Sequence, residues 1–247
     1  MKKTSLEDNL PRINTWFSTE RGQSVLQEQY KLIEHALEQC FGYHLLQLSV
    51  STDAELYRDC GVQRKFRCHP KATHHHLNAD FEQLPFATES IDAVIVHHVH
   101  EYMDNPHQLL RELQRIVVPH GHIIILGFNP WSPLGLYSLV RRRFPNTAWK
   151  NNLISHRKIT DWLSLLGFQI KFAEFGHFQP QRLNHTRKLW LRYLLRSTPL
   201  GSFYMVNAVK HQATLIPLKP VWENPRKHFG GLSPIKPRVS SSKSIKS

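Results

Sequence analysis

The sequence predicts an α/β fold built around a doubly wound, mainly parallel sheet. Three short apolar runs, at residues 45–48, 93–96 and 123–126, are typical of strands buried on both faces. Helical segments separate them, and a strand, a helix and a buried strand in that order form a right-handed parallel βαβ unit. We therefore expect the three runs to lie side by side as the central strands of the sheet.

The segments around these runs show the spacing of amphipathic helices. Apolar residues recur every three or four positions over 22–41 and again from Pro106, a favourable first residue for a helix. Two further helices are predicted over 133–144 and 155–166, the second with a cap at Ser155 and an end at Gly167. Alternating residues at 168–173 and 203–209 predict two late strands.

Composition divides the chain into three parts: an N-terminal helical segment (1–40), an α/β domain (41–218) and a basic tail (219–247). Trp16 and Phe17 are expected to pack onto the body of the domain. The formal net charge is +13, and the tail holds seven Lys and Arg residues against one Glu. Because the tail has few apolar residues to offset the entropy lost on ordering, we expect it to be disordered.

Several protein classes do not match this composition. No apolar run approaches the roughly 18 residues of a membrane span, and no apolar stretch follows the basic residues at the N-terminus, so neither a span nor a secretory signal is predicted. Cys40, Cys60 and Cys68 are odd in number and lack metal-ligand spacing. They indicate reduced thiols in a cytoplasmic protein.

One stretch carries a family resemblance. Residues 79–94 read ADFEQLPFATESIDAV, and shorter motifs continue as DNP at 104–106, RIV at 115–117, PHG at 119–121 and FNP at 128–130. The pattern resembles class I S-adenosylmethionine (SAM)-dependent methyltransferases of the Methyltransf_11 (UbiE/BioC-like) group over roughly residues 40–175. The whole chain resembles the YafS-like branch of bacterial methyltransferases. The resemblance implies a Rossmann-like fold, SAM as cofactor and a small-molecule methyl acceptor.

The resemblance also implies a set of cofactor-binding residues, and it assigns no catalytic residue. Asp80 would accept a hydrogen bond from the adenine amino group, and Phe81 would add backbone and ring contacts. Ser49 and Ser51 stand where the family has a glycine-rich loop. His97 follows a strand at the carboxyl edge of the sheet, where open α/β sheets bind ligands. A loop or capping role is the alternative for Asp80.

Two parts of the family's cofactor site are missing from the sequence. Residues 47–52 contain neither glycine, which lets a backbone approach a ligand closely, nor a carboxylate. Residues 64–78 contain no Asp or Glu to hold the ribose hydroxyls. A degenerate methyltransferase fold that serves as an interaction module (a pseudoenzyme) is therefore a second hypothesis. A third is an RNA-directed protein that uses its basic surface and tail.

Other chemistry has weaker support in the sequence. Histidines at 74–76 and at 97, 98 and 100 suggest a metal, but alternate side chains of an extended chain point to opposite faces. No metal site is therefore predicted. Glu101 is a candidate general base or a carboxylate at a helix N-terminus, and Asp92, at the start of a strand, is expected to be structural.

Removing the chain from Arg226 onward should leave the melting temperature nearly unchanged, because a disordered tail buries no apolar surface. Thermal unfolding of the full chain and the truncated chain, followed by circular dichroism, tests this. A loss of several degrees would mean that the tail packs on the body or on a partner subunit.

Overall fold

The computed structural model describes residues 6–52, 54–58, 60–69, 79–132, 135–136, 152–176 and 201–211. The chain divides into two compact units, 1–213 and 214–247, and every described residue belongs to the first. Most of the predicted helix over 133–144 and all of the basic tail lie outside the described residues. No helix within the described ranges is long and apolar enough to cross a membrane.

The helices lie close to where the apolar spacing predicts them. They are α1 (Leu6–Phe17), α2 (Glu20–Leu37), α3 (Pro106–Ile116) and α4 (His156–Leu165). α2 begins earlier than predicted because the Thr19 side chain caps it, accepting a hydrogen bond from the N–H of Gly22 at 3.2 Å. Ser155 holds the N-cap position of α4, but its side chain makes no capping hydrogen bond, so that detail of the prediction is wrong. Gly167 follows α4 with a φ of +85°, as expected of a residue that ends a helix.

A mainly parallel sheet confirms the predicted fold class. Its strands are β1 (His44–Ser49), β2 (Arg64–Cys68), β3 (Ile91–His97), β4 (Val117–Phe128), β5 (Phe168–Gly176) and β6 (Phe203–Lys210). In the described part of the chain their order is β2-β1-β3-β4-β6-β5. β2, β1, β3 and β4 pair in parallel, whereas β6 runs antiparallel to both β4 and β5. The three runs predicted as central strands are the cores of β1, β3 and β4, which are neighbours.

Alternate residues of the central strands enter two different apolar cores. The first core holds Leu46, Leu48, Val94, Val96, Ile123 and Ile125, and it is completed by residues of α1, α3 and α4. The second holds Leu45, Ala93, Ile95, Ile124 and Leu126, and it is completed by residues of α2. Helices therefore cover both faces of the sheet, which explains why the central strands are apolar along their whole length.

Asp92 fixes the start of the sheet, as the sequence predicts. Its Oδ2 accepts hydrogen bonds from the backbone N–H groups of Tyr43 and His44, each at 2.9 Å. These bonds join the start of β1 to the second residue of β3. The preceding Gly42 has a φ of +137°, a conformation that side chains disfavour. The carboxylate therefore acts on the backbone at the amino edge, opposite the edge where ligands bind.

An ion pair on α3 anchors the turn that follows residue 79. Arg115 donates to the carbonyl oxygens of Phe86 (2.8 Å) and Leu84 (3.1 Å) and to Glu112 Oε2 (2.8 Å). Glu112 Oε2 in turn accepts a hydrogen bond from the N–H of Leu84 at 3.2 Å. Hydrogen bonds from Arg115 lower the pKa of the Glu112 carboxyl. One ion pair therefore satisfies three backbone groups of the turn that carries Asp80.

Replacing Arg115 with alanine should lower the free energy of unfolding by about 1–3 kcal/mol, because the carbonyls of Leu84 and Phe86 lose their donor. Chemical denaturation gives this value. Arg111→Ala is the matched control, since Arg111 lies exposed on the same helix. Equal effects of the two substitutions would contradict an anchoring role for Arg115.

The same pair should add an acid-sensitive component to stability. The pKa of Glu112 is lowered in the folded protein, so its contribution is complete above the ordinary pKa and is lost as the pH falls through the lowered value. Denaturation between pH 7 and pH 3 should therefore show a shallower loss of stability for Arg115→Ala than for the wild type. Parallel curves would contradict this assignment.

Candidate functional site

The chain changes direction within the sheet between β1 and β3. From β1 it continues to β2 on one side and then crosses to β3 on the other, and open α/β sheets bind ligands at the carboxyl ends of strands at such a switch point. Ser49 and His97 end these two strands and are register partners. Ser49 Oγ lies 2.9 Å from His97 Nδ1 and accepts a hydrogen bond from the Ser51 N–H at 3.0 Å. Three of the predicted site residues are thus in one hydrogen-bonded group.

The backbone N–H groups of the loop after β1 donate hydrogen bonds to other atoms of the protein. In a glycine-rich loop such groups would be available to a ligand. Here residues 50, 51, 52 and 56 all donate to protein atoms. The acceptors are His97 O (3.3 Å), Ser49 Oγ (3.0 Å), Asn14 Oδ1 (3.1 Å) and Gln47 Oε1 (2.9 Å). These four backbone donors are therefore already satisfied by protein side chains and one strand carbonyl.

Helix α1 covers this edge of the sheet. The Phe17 ring centroid lies 5.3 Å from that of His97 and 5.8 Å from that of His98. Leu10, Ile13 and Phe17 are buried in the same core as Val50, which confirms the expectation that Phe17 packs onto the body. Ser49 and His97 are 0% exposed and Ser51 is 1% exposed. In this conformation the site is closed to ligands.

A chain of buried side chains extends from Ser49 across the covered edge. Gln29 of α2 contacts both histidines: its Oε1 lies 3.1 Å from His97 Nε2, and its Nε2 lies 2.8 Å from His98 Nε2. His98 Nδ1 lies 3.3 Å from Glu101 Oε1, which also accepts a hydrogen bond from the N–H of Phe128. The ring of His98 stacks on Phe128, with centroids 4.0 Å apart. The contacts run continuously from the end of β1 to the end of β4.

Burial keeps the histidines of this edge neutral. It lowers the pKa of His97 well below its usual value, an effect to which neighbouring His98 adds, and lowers the pKa of His98 to about 3. Burial also lowers the pKa of His100 to about 4, although the charge of Glu101 acts in the opposite direction. His98 and Glu101 are within ion-pair distance, but a neutral ring makes this contact a hydrogen bond.

Asp80 and Phe81 lie in a separate turn from the serine and histidine residues. Asp80 is exposed, and its Oδ1 accepts a hydrogen bond from the N–H of Glu82 at 2.9 Å. Phe81 is 2% exposed and belongs to the first core. The contact of Asp80 is the turn-capping one that the sequence left as an alternative. Binding of adenine by either residue stays a prediction.

Three contacts that shape the closed edge are not predicted from the sequence: those of Asn14, of Gln29, and of Phe17 with the histidines. Each residue acts on a partner far away in the chain, as Gln29 does on His97 and His98. One signal was present for Gln29. It is a polar residue within the buried stripe of α2, next to residues such as Leu26 and Ile33, and a buried amide needs partners.

Two details at the end of β3 differ from expectation. His98 has a left-handed φ of +57°, so strand alternation ends there, and the rings of His97 and His98 lie 4.6 Å apart instead of on opposite faces. Glu101 lies fully buried in a 3-10 turn (Val99–Glu101), not at the N-terminus of an α-helix. Within the described residues, no three His, Cys, Asp or Glu side chains converge as metal ligands would.

Solved structures share this architecture at low sequence identity. A SAM-dependent methyltransferase from Thermotoga maritima superposes with a TM-score of 0.59 at 17% identity, covering 81% of this chain and 95% of that one. One from Archaeoglobus fulgidus gives 0.56 at 17% identity, covering 79% and 98%. These similarities show a common fold, that of SAM-dependent methyltransferases.

Sequence comparison gives the family. Residues 31–125 match the Methyltransf_11 model, described as a methyltransferase domain. The uncharacterized protein YafS of Escherichia coli (strain K12) is 31% identical over 189 residues, which cover 75% of this chain and 77% of YafS. A similarity of this extent, together with the matching domain, shows that the chain belongs to the methyltransferase-domain family that includes YafS.

Proposed function

We propose that the chain is a SAM-dependent methyltransferase that acts on a small-molecule acceptor and admits its cofactor when α1 moves off the carboxyl edge of the sheet. The family and the fold support the SAM-dependent methyltransferase; the acceptor class and the opening are the new parts of the proposal. The observation that carries it is the Ser49–His97 pair, which places two buried polar side chains across the switch point of the sheet.

The residues at this edge fit the cofactor only in part. The hydroxyl and imidazole groups of Ser49, Ser51 and His97 suit the polar end of SAM, and Asp80 and Phe81 would hold its adenine. However, the described conformation leaves no room beside the buried serines, and residues 64–69 supply no carboxylate for the ribose. Binding therefore requires α1 and the loop after β1 to separate. SAM would supply an electrophilic methyl group, and the protein would contribute mainly by positioning the acceptor.

A second candidate function is an interaction module that has lost cofactor binding. The internal hydrogen bonds of residues 50–52 favour it, because they satisfy the backbone groups that a cofactor would need. The two candidates differ in one measurable respect. A closed methyltransferase binds S-adenosylhomocysteine better once its edge is opened, whereas an interaction module does not bind it in either state.

Substituting Asn14 with alanine should tighten the binding of S-adenosylhomocysteine by about fivefold. The change removes the acceptor for the Thr52 N–H, worth about 1 kcal/mol to the closed state, and a larger open fraction raises the apparent affinity. We expect a wild-type Kd weaker than about 100 μM by calorimetry. Thr15→Ala, on the exposed side of α1, is the control. If no variant binds while all remain folded, the interaction module is the better assignment.

Asp80→Ala, made in the Asn14→Ala protein, should weaken binding of S-adenosylhomocysteine by about 1.5–3 kcal/mol, the value of a hydrogen bond to a charged group. Glu82→Ala changes a carboxylate in the same turn and serves as the control. The same calorimetric titration measures both. If Asp80→Ala leaves the affinity unchanged, groups other than Asp80 hold the adenine.

A further inference from the structure

Gln29 is a buried amide in the middle of an apolar helix face. It is 0% exposed, and its neighbours on α2 include Val25, Leu26 and Ile33, all of them buried. Burying an amide without partners would cost about 1–3 kcal/mol, and leucine would serve packing as well. Instead, the oxygen and the nitrogen of the amide each contact a histidine ring. Its presence therefore calls for an explanation in terms of those rings.

Both histidines meet Gln29 through the same ring atom, Nε2. A glutamine side chain has a carbonyl oxygen that only accepts and an NH₂ group that only donates. The ring nitrogen facing the oxygen, His97 Nε2 at 3.1 Å, must carry a proton. The ring nitrogen facing the NH₂ group, His98 Nε2 at 2.8 Å, must be bare. One amide thus requires opposite tautomers of two adjacent neutral rings.

The outer contacts of the rings agree with this assignment. With Nε2 bare, neutral His98 carries its proton on Nδ1, which donates to Glu101 Oε1, an oxygen that also accepts from the Phe128 N–H. With Nε2 protonated, His97 has a bare Nδ1 that accepts from the Ser49 hydroxyl. The hydrogen bonds then point one way along the chain, from Ser49 through His97, Gln29 and His98 to Glu101.

We propose that Gln29 is a positioning residue: it holds His97 as the Nε2–H tautomer and His98 as the Nδ1–H tautomer, and so directs the Ser49 hydroxyl proton toward His97. The Ser49 hydroxyl has two acceptors within 2.9 Å, the ring nitrogen of His97 and the carbonyl oxygen of Ser51. If His97 instead carried its proton on Nδ1, the ring would donate to Ser49, and the hydroxyl would turn to Ser51. Gln29 therefore determines whether the Ser49 hydroxyl donates to His97 or to Ser51.

The ring states have a consequence for the ligand, which rests on the proposed function. With its proton committed to His97, Ser49 presents only lone pairs toward the opened edge. It therefore accepts from a donor such as an ammonium group and disfavours a carboxylate. The low pKa values of His97 and His98 support neutral rings throughout the physiological range.

Several buried side chains surround Glu101 within the described part of the chain. Those that face it are His98, His100, Tyr102 and Tyr204, all of them buried. Burial, with a contribution from Glu101, raises the pKa of Tyr102 and Tyr204 well above the usual value, so both stay neutral. Neither tyrosine therefore adds a charge beside Glu101.

Nitrogen-15 NMR of the histidine rings in the ligand-free protein tests the assignment, because protonated and bare ring nitrogens give different signals. We expect His97 to be the Nε2–H tautomer and His98 the Nδ1–H tautomer, with neither ring titrating between pH 6 and pH 7. In Gln29→Met, His98 should keep its state because Glu101 still accepts from it, whereas His97 should shift to Nδ1–H. Gln27→Met, exposed on the same helix, should change neither ring.

Two results would overturn the proposal. The first is the same tautomer for His97 and His98 in the wild type, and the second is an unchanged His97 tautomer in a folded Gln29→Met variant. The wild-type spectrum alone decides the first if that variant does not fold.

A binding measurement extends the test to the ligand. In the Asn14→Ala protein, Gln29→Met should weaken the binding of S-adenosylhomocysteine by about tenfold. This is the value of one hydrogen bond to a charged group. It should leave 5′-methylthioadenosine, which lacks the amino-acid end, unaffected. Equal losses for both ligands, or none for either, would contradict the link to Ser49. A lack of any binding would count against the proposed methyltransferase, and the tautomers would still be decided by NMR.

Discussion

The carboxyl edge of this sheet is governed by one constraint: a polar group shut away from water must find its hydrogen-bond partner inside the protein. α1 and α2 exclude solvent there, so the N–H of Ser51 is satisfied by Ser49 and the imidazole of His97 by Gln29. The same exclusion keeps the rings neutral, because a charged imidazole would lose its hydration. Loop conformation, helix placement and protonation state at this edge thus have a common origin.

The family relationship and the altered loop are compatible in these terms. Related proteins use glycine so that backbone N–H groups can reach a ligand, as the resemblance implies. This chain has Ser49, Val50 and Ser51 at those positions, and Ser49 Oγ accepts a hydrogen bond from the backbone N–H of Ser51. The loss of glycine is therefore matched by an internal substitute, so the loop is stable without a cofactor. Such a loop favours the closed state and gives cofactor binding a conformational cost.

The sequence could predict what depends on local pattern. Runs such as 93–96 and 123–126 indicate buried strands, because β-branched residues suit a sheet covered on both faces. Ser49 was assigned to the site from the family resemblance, and His97 because it follows a strand at the carboxyl edge of the sheet. The contacts of Gln29 and Asn14 could not be predicted, since partners lie up to 69 positions away. The left-handed backbone conformation of His98 could not be predicted either, because the residue is not a glycine or an asparagine.

The insertion of β6 between β4 and β5 has a consequence for biosynthesis. Until residues 203–210 have emerged from the ribosome, one side of β4 is unpaired. At that stage β5 has no partner strand among those described. The unfinished edge exposes the apolar residues of 123–126, and unpaired apolar edges promote association between nascent chains. Completion of the sheet must therefore wait for nearly the whole α/β domain to emerge. Early termination upstream of residue 203 would leave an aggregation-prone fragment rather than a smaller functional domain.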